Sequence, residues 1–341
     1  MNKTKFMHAP EAIPLIQQAL KPESKVMVTT HLSPDGDAIG SSLGLLHGLQ
    51  DKVQSMQCVI PNEAPDFLKW MDGFNSMLVA DEAPEKVAAL FQDADIWVVL
   101  DYNAEHRAGK IIEELAPSFK GTKIVIDHHL DPSIPCDILL SDDGICSTAQ
   151  LVYEVVSAIN PAQLHGATLE CLYTGLITDT GSFRFSSVDT RTHGIVSEMI
   201  EKGLKHWEVH QKIYDQNTLS RLQIIGYCLS EKMQVFKDGK VALIAISQEE
   251  VKRFGASKGD TEGLVNWALS IQGVEVAAFV REAEDMVKIS FRSKKYYPVN
   301  EFSNAHFNGG GHKHAAGGRS NIGLQETVDK IKELFEPIEF Q

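Results

Sequence analysis

Three apolar runs, residues 26–30 (VMVTT), 96–100 (IWVVL) and 122–126 (TKIVI), each stop at a group of acids and histidines. A run that is apolar at nearly every position reads as a parallel strand buried on both faces. In an open α/β sheet the carboxyl edge of such strands is where ligands bind. The sequence therefore predicts that His31, Asp35, Asp37, Asp101, Asp127, His128 and His129 emerge along one edge of one sheet. Within 31–40 (HLSPDGDAIG), Gly36 is read as the residue that lets the backbone turn, and Pro34 as a stiffener of the entry. The simpler reading has Asp37 capping a helix that begins near Ala38, Asp35 in an ordinary turn, and Asp101 and Asp127 capping further helices. Three runs that end in the same residue types favour a shared site over independent caps.

Between the runs the pattern turns helical. Helices are predicted over 10–20, 38–50, 147–159, 162–178 and 190–202, with helical texture continuing to about 229 and a strand at 56–61. Small residues on 38–50 (Gly40, Ser41, Ser42, Gly44) are read as letting that helix lie close on the sheet, and Ser147-Thr148 as capping hydroxyls. The helix over 162–178 runs into Asp179. From Glu231 the texture changes to strands at 233–236, 241–247, 274–281 and 286–291, with helices near 248–270 and 298–306. The expected architecture is α/β. A mostly parallel sheet flanked by helices occupies 1–205, a helical linker 206–230, and a smaller α/β domain 231–341.

A chain of 341 residues with 43% hydrophobic side chains can bury a large core. Its net charge of −14 opposes the attraction of long polyanions, which argues against a protein that coats DNA or RNA. Five scattered cysteines without a C-x-x-C pair argue against disulfides and thiolate metal sites, and so for a reducing cytoplasm. The segment from Met1 to Leu20 carries charges and two prolines, unlike a signal peptide, and no later run is long enough to span a bilayer. One stretch runs against the overall charge. From Lys288 to Arg319 six Lys or Arg face a single acid, Glu301. Inside it lies 308–318 (NGGGHKHAAGG), which reads either as a flexible surface loop or as a glycine-rich loop that brings backbone N–H groups to an anion, with His312 or Lys313 adding charge.

His31, Asp35, Asp37, Asp101, His128 and Asp179 make two imidazoles and four carboxylates. One cation would leave several of them mutually repelling, whereas two divalent cations about 3.5–4 Å apart use them all with one carboxylate between. The nitrogen and oxygen donors suit Mn²⁺, Zn²⁺ or Mg²⁺ better than Ca²⁺. A pair of such ions acidifies a water and offsets charge on a phosphoryl oxygen, so the donor set points to phosphate ester hydrolysis.

At these residues the chain resembles the DHH phosphoesterases, through His31-x-x-x-Asp35-x-Asp37, Asp101, Asp127-His128-His129 and Asp179. The stretch 309–317 (GGGHKHAAG), preceded by Ser290-Phe-Arg292, is similar to the signature of the DHH-associated C-terminal domain. Length and layout look most like the bacterial nanoRNase/pAp phosphatases, Mn²⁺-dependent enzymes that cleave very short oligoribonucleotides and take the 3′-phosphate from 3′-phosphoadenosine 5′-phosphate (pAp). The resemblance implies an active site in the cleft between two domains and two Mn²⁺ ions, with Mg²⁺ or Co²⁺ as substitutes. It implies His31 and Asp35 at one ion, Asp37, His128 and Asp179 at the other, and Asp101 bridging. His129 would face the scissile phosphate while Asp127 orients an imidazole. Asp37, Asp101, His128 and His129 would form the catalytic set. Arg292, Gly309, Gly310, Gly311 and His312 would hold the nucleotide, with Arg184 as a further contact. The chain departs from the family pattern at Tyr102-Asn103 after Asp101 and at Cys146 before Ser147-Thr148, none of them a ligand.

The expected substrates are nanoRNA, linear dinucleotides such as pApA, and pAp, with neither long duplex nucleic acid nor a membrane as partner. A homodimer is the assembly to test for. An inorganic pyrophosphatase of the same superfamily would lack the glycine-rich stretch, and a RecJ-type exonuclease would carry added domains for long strands. A phosphodiesterase of a cyclic-dinucleotide pathway shares the whole motif set. A catalytically inactive nucleotide-binding module would be expected to lack one of the six ligands.

Overall fold

The structure is a computed structural model that describes residues 9–256 and 259–340; of the N-terminal segment read above, 1–8 lie outside the described residues, as does the side chain of His312. The chain divides into two compact units that meet between residues 216 and 217.

The first unit runs α1 (Ala9–Ala19), β1 (Lys25–Thr29), α2 (Gly36–Leu49), β2 (Ser55–Ile60), β3 (Leu78–Val79), α3 (Pro84–Asp93), β4 (Ile96–Leu100), α4 (Lys110–Leu115), β5 (Thr122–Asp127), β6 (Ile138–Ser141), α5 (Thr148–Ile159), α6 (Gly166–Asp179), α7 (Thr190–Glu201) and α8 (His206–Tyr214). Its six strands pair in parallel in the order β3-β2-β1-β4-β5-β6. The order reverses between β1 and β4, and ligands gather at such a switch point. The three apolar runs of the sequence are β1, β4 and β5, side by side. Their alternate residues feed two cores. Val26, Val28, Ile96, Val98, Leu100, Ile124 and Ile126 enter the core shared with α1, α2, α5 and α6, while Met27, Trp97, Val99 and Val125 enter the core shared with α3 and α4. Burial on both faces is why these strands read as continuous hydrophobic stretches.

The structure corrects two local expectations in α2. A Cβ on Gly36 would strike the side chain of Thr178, so this glycine is a point of close approach to α6 rather than a turn residue. Two more of the small residues face α6 and not the sheet: a Cβ on Gly40 would collide with the backbone of Cys171 and Gly175, and one on Gly44 with Leu172, while the Ser42 carbonyl does meet β2 through Cys58. The helix expected from residue 162 begins only at Gly166, which holds φ +48° after a short turn at 161–163.

The second unit contains α9 (Leu219–Tyr227), β7 (Met233–Phe236), β8 (Val241–Ile246), α10 (Gln248–Arg253), α11 (Leu264–Leu269), β9 (Val276–Glu282), β10 (Val287–Ser293), α12 (Val299–Phe307), β11 (Gly310–His312), β12 (Ala315–Ser320) and α13 (Leu324–Phe335). The sheet order is β11-β12-β10-β9-β8-β7, antiparallel except for the β8/β9 pair. Helices α12 and α13 cover one face, through Phe302, Phe307, Val328, Ile331 and Phe335. Helices α9 and α11 cover β8 and β9 on the other, through Ile224, Leu264, Val265 and Ala268. The glycine-rich stretch is a hairpin and not a loop. Gly310 pairs with Gly317 and Gly311 with Ala316. Three of its glycines make room for neighbours: a Cβ on Gly309 would strike Ser303 Oγ, one on Gly318 would sit 2.8 Å from it, and Gly311 holds φ +136° against the backbone of Ala315.

Candidate metal centre

The ends of β1, β4 and β5, with α2 and α6, bring the candidate ligands together at the switch point. After β1 the chain passes His31, and Asp35 then caps α2, accepting the backbone N–H groups of Asp37 at 3.0 Å and Ala38 at 3.1 Å. The His31 ring Nδ1 lies 3.0 Å from the Leu32 carbonyl, which can only accept, so the proton sits on Nδ1. Nε2 is thereby aimed at Asp35 Oδ1 (3.8 Å) and Asp101 Oδ2 (3.5 Å). Asp101 follows β4 in a left-handed conformation, φ 66°, which Asp tolerates better than most residues. Its other oxygen, Oδ1, accepts the Thr148 hydroxyl at 2.9 Å and lies 3.5 Å from His128 Nε2. His128 repeats the logic of His31. Its Nδ1 donates to the Ile145 carbonyl at 3.3 Å, which turns Nε2 toward Asp179 Oδ2 (3.5 Å), Asp101 Oδ1 and Asp37 Oδ2 (3.9 Å).

Asp37 is buried, and its carboxylate takes two backbone N–H groups from the first turn of α5, Thr148 at 2.7 Å and Ala149 at 2.9 Å. Four orphan N–H groups and the positive end of a helix dipole are what a buried carboxylate needs. Ser147 caps the same turn through Gln150 N–H, as the sequence suggested. Gly175 on α6 leaves space for that carboxylate, since a Cβ there would lie 2.7 Å from Asp37 Oδ1. Asp179 is the last residue of α6. Neither simpler reading of the acids holds: Asp37 does not cap its own helix, and Asp101 caps none.

The charges in this cluster are unbalanced without a cation. Burial pushes the Asp37 carboxyl well up, and the neighbouring charges of Asp101, Asp179 and Asp35 push it further. Burial likewise lifts Asp179 to about 7, with His128 pulling it back and Asp101 adding to the rise. Burial works against the charged form of His31, yet hydrogen bonding to Asp101 and Asp35 overrides it and lifts the imidazole to about 11, so a proton occupies Nε2. Asp101 alone falls below the usual carboxylate range, because His31, His128 and His129 outweigh its burial. Protons thus stand in positions that a divalent cation would take. Ligand atoms of His31, Asp35 and Asp101 lie within 4.8 Å of one another, and so do those of Asp37, His128 and Asp179. With Asp101 touching both sets, the residues fit two cations held by nitrogen and carboxylate oxygen.

His129 stands beside this pair. Its Nδ1 donates to Asp127 Oδ1 at 2.7 Å, and its ring lies 4.7 Å from that of His128. Arg184 is exposed on the turn after α6 and donates to the Gly181 carbonyl. Arg292, Gly309, Gly310, Gly311 and His312 belong to the second unit. Arg292 is partly buried on β10, donates to the Phe291 carbonyl, and is pushed down by burial. The residues that depart from the family pattern serve packing: the Tyr102 hydroxyl bonds Thr29 Oγ1, which also accepts Trp97 Nε1, and Cys146 is buried against Gln150 and Thr192. Sequence reasoning took Thr148 only as a cap, whereas its hydroxyl and its N–H hold two different acids. The available signal was a pair of hydroxyl residues, Ser147 and Thr148, at a helix start.

Two family profiles match the chain in order, the DHH family N-terminal domain over residues 25–176 and the DHHA1 domain over 238–337. The bifunctional oligoribonuclease and PAP phosphatase NrnA of Thermus thermophilus is 27% identical over 95% of this chain and 93% of its own. The protein of that name from Bacillus subtilis is 25% identical over 90% and 92%. The crystal structure of an exopolyphosphatase-related protein from Bacteroides fragilis superposes with a TM-score of 0.91 at 39% identity, covering 96% of this chain and 97% of that one. With both profiles in place and a relative of that identity spanning nearly its full length, the chain belongs to the DHH family and carries a DHHA1 domain.

Proposed function

We propose that the protein is a metal-dependent phosphoesterase that hydrolyses short oligoribonucleotides, including linear dinucleotides such as pApA, and removes the 3′-phosphate from pAp. The observation that carries this reading is the pair of His/Asp sets joined by Asp101, in a chain whose relatives over nearly full length are named for those two activities. Bound there, two divalent cations would acidify a water and offset the charge on the phosphoryl oxygens during in-line attack. In this reading His31 and Asp35 hold one ion, Asp37, His128 and Asp179 the other, and Asp101 lies between. Mn²⁺ suits the two imidazole nitrogens, with Mg²⁺ or Co²⁺ able to substitute. Asp127 fixes the His129 ring, which faces the scissile phosphate. Arg292, Gly309, Gly310, Gly311 and His312 hold the nucleotide, and Arg184 adds a contact. Five free thiols suit a reducing cytoplasm. Among the described residues no helix is long and apolar enough to cross a membrane.

The test is a ranking of kcat/KM with Mn²⁺ on pApA, pAp, a cyclic dinucleotide, pyrophosphate and a long RNA. The reading expects pApA and pAp to lead and excess chelator to abolish turnover. Full activity in chelator removes the metal mechanism, and a cyclic dinucleotide at the head of the ranking replaces the substrate assignment.

A further inference from the structure

We propose that Arg107 is a further substrate-contacting residue, a cation of the first unit that binds the phosphate group under attack at the metal centre. This deepens the reading of the protein as a phosphoesterase and rests on it. In the sheet β4 lies between β1 and β5, and the chain leaving β4 passes Asp101 and makes one short helical turn, Glu105–Ala108. That turn is fastened to the chain segments on both sides of it. The Arg107 carbonyl accepts the Leu32 N–H at 2.6 Å, one residue after His31. The Asn103 carbonyl accepts the Ser133 N–H at 2.7 Å, and the Asn103 side-chain amide donates to the Leu130 carbonyl at 2.5 Å, one residue after His129. Beyond the turn Gly109 holds φ +79°, and a Cβ there would lie 2.8 Å from Pro61 on the chain after β2. Arg107 therefore belongs to a braced bridge between the segments that carry His31 and His129.

The Arg107 guanidinium is half-buried and almost unspent. Its Nη1 donates to Asn103 Oδ1 at 3.4 Å, a long hydrogen bond, and among the described residues no carboxylate forms an ion pair with it. The acid nearest in sequence, Glu105, faces Lys123 at 3.9 Å instead. A guanidinium stays charged at any pH a protein meets, and its planar fork of N–H groups matches two oxygens of one phosphate. Taking such a charge partly out of water without a counter-charge is unfavourable, so the position suits an anion. Asn103 fixes where the fork stands, because the same amide that accepts from Arg107 is anchored on Leu130 beside His129. A donor placed in advance acts most strongly where charge develops in the transition state. Asn103 is one of the positions at which the chain departs from the family pattern, and here it is a positioning residue for Arg107.

The experiment compares wild-type protein with Arg107→Gln, Arg107→Lys and His106→Gln, the last an exposed neighbour on the same turn. Each is loaded with Mn²⁺, freed of excess metal, and assayed for metal content and unfolding midpoint. Two readouts follow: binding of orthophosphate by calorimetry, and kcat/KM on pApA, pAp and bis(p-nitrophenyl) phosphate, a phosphodiester without a nucleotide. The proposal expects Arg107→Gln to weaken orthophosphate binding about 10–100-fold, the range for losing hydrogen bonds to a charged group, and to lower kcat/KM at least as far on all three esters. Arg107→Lys keeps the charge without the fork and should fall between the two. His106→Gln should match wild type, and metal content and midpoint should hold in every variant. Three results overturn the proposal: orthophosphate binding that is absent in wild type or unchanged in Arg107→Gln, a loss confined to the nucleotide esters, or a loss of metal or midpoint that accompanies the loss of activity. Failure of the parent reading looks different: the wild-type protein then hydrolyses neither pApA nor pAp, while orthophosphate binding still decides the role of Arg107.

Discussion

At the scale of single residues, the candidate ligands His31, Asp101 and His128 stand out in the sequence because they directly follow the three apolar runs, whereas Asp37 and Asp179 ride on helices, and what orients any of them could not be read. The carbonyls of Leu32 and Ile145 decide which nitrogen of His31 and His128 faces the carboxylates, and a carbonyl is present at every position of every chain. Two substitutions separate the roles of neighbouring acids. Asp101→Asn removes the charge shared by both ligand sets, so metal content and turnover should collapse together on every substrate. Asp127→Asn leaves the six proposed ligands in place and removes the acceptor that orients the ring of His129, so it should lower kcat/KM by about 10–100-fold with metal content intact. Metal analysis alongside kinetics distinguishes them, and equal metal loss in both variants contradicts the assignment. A pH dependence follows from the charges. A cation must displace the proton that His31 holds up to about 11, so binding should release protons throughout the neutral range. Asp179, raised to about 7, carries a proton below that pH and is ionised above it, so affinity should rise as pH passes from 6 to 8. Mn²⁺ titration calorimetry in two buffers of different ionisation enthalpy checks both. Binding without proton release, or weakening as pH rises, would count against the ligand set.

At the scale of elements, the buried parallel strands were legible because burial on both faces leaves no polar position to disguise them. Short edge strands such as β3 and β6 were not, being two and four residues long. The β11/β12 hairpin was also missed, because glycine is depleted in strands; here it is tolerated because α12 and the neighbouring strand come too close for side chains. The same principle misdirected the reading of α2, whose Gly36, Gly40 and Gly44 answer to α6 and not to the sheet. Asp37 and Asp179 ride on those two helices, so their spacing depends on Gly40. Gly40→Ala should lower stability by roughly 1–3 kcal/mol in denaturant unfolding and weaken Mn²⁺ binding at the same time. By contrast, Gly194 lies within α7 with nothing near its Cβ, and Gly194→Ala should raise stability by about 0.5–1 kcal/mol without touching metal affinity. Opposite signs from the same chemical change would show that packing against α6, and not helix propensity, governs the first site.

At the scale of the whole molecule, a net charge of −14 and the basic stretch from Lys288 to Arg319 act in opposite directions on a polyanion. In the proposed reading a substrate of two to five nucleotides needs few phosphate contacts, whereas a longer strand brings more phosphates against a chain of net charge −14. Values of kcat/KM should therefore be highest in that range and fall for a strand of twenty or more, with only a shallow salt dependence for the shortest substrates. A long RNA cleaved as efficiently as a dinucleotide would contradict this. One feature of the first unit offers a way to watch the molecule at work. The peptide N–H groups of Thr148 and Ala149 are both donated to the Asp37 carboxylate. Their nuclear magnetic resonances therefore sense the charge on that carboxylate directly, and should move when a cation replaces the proton and slow their exchange with solvent deuterium while it stays. Two backbone signals at the start of one helix would then report occupancy and residence time of the metal pair in protein that has never met a substrate.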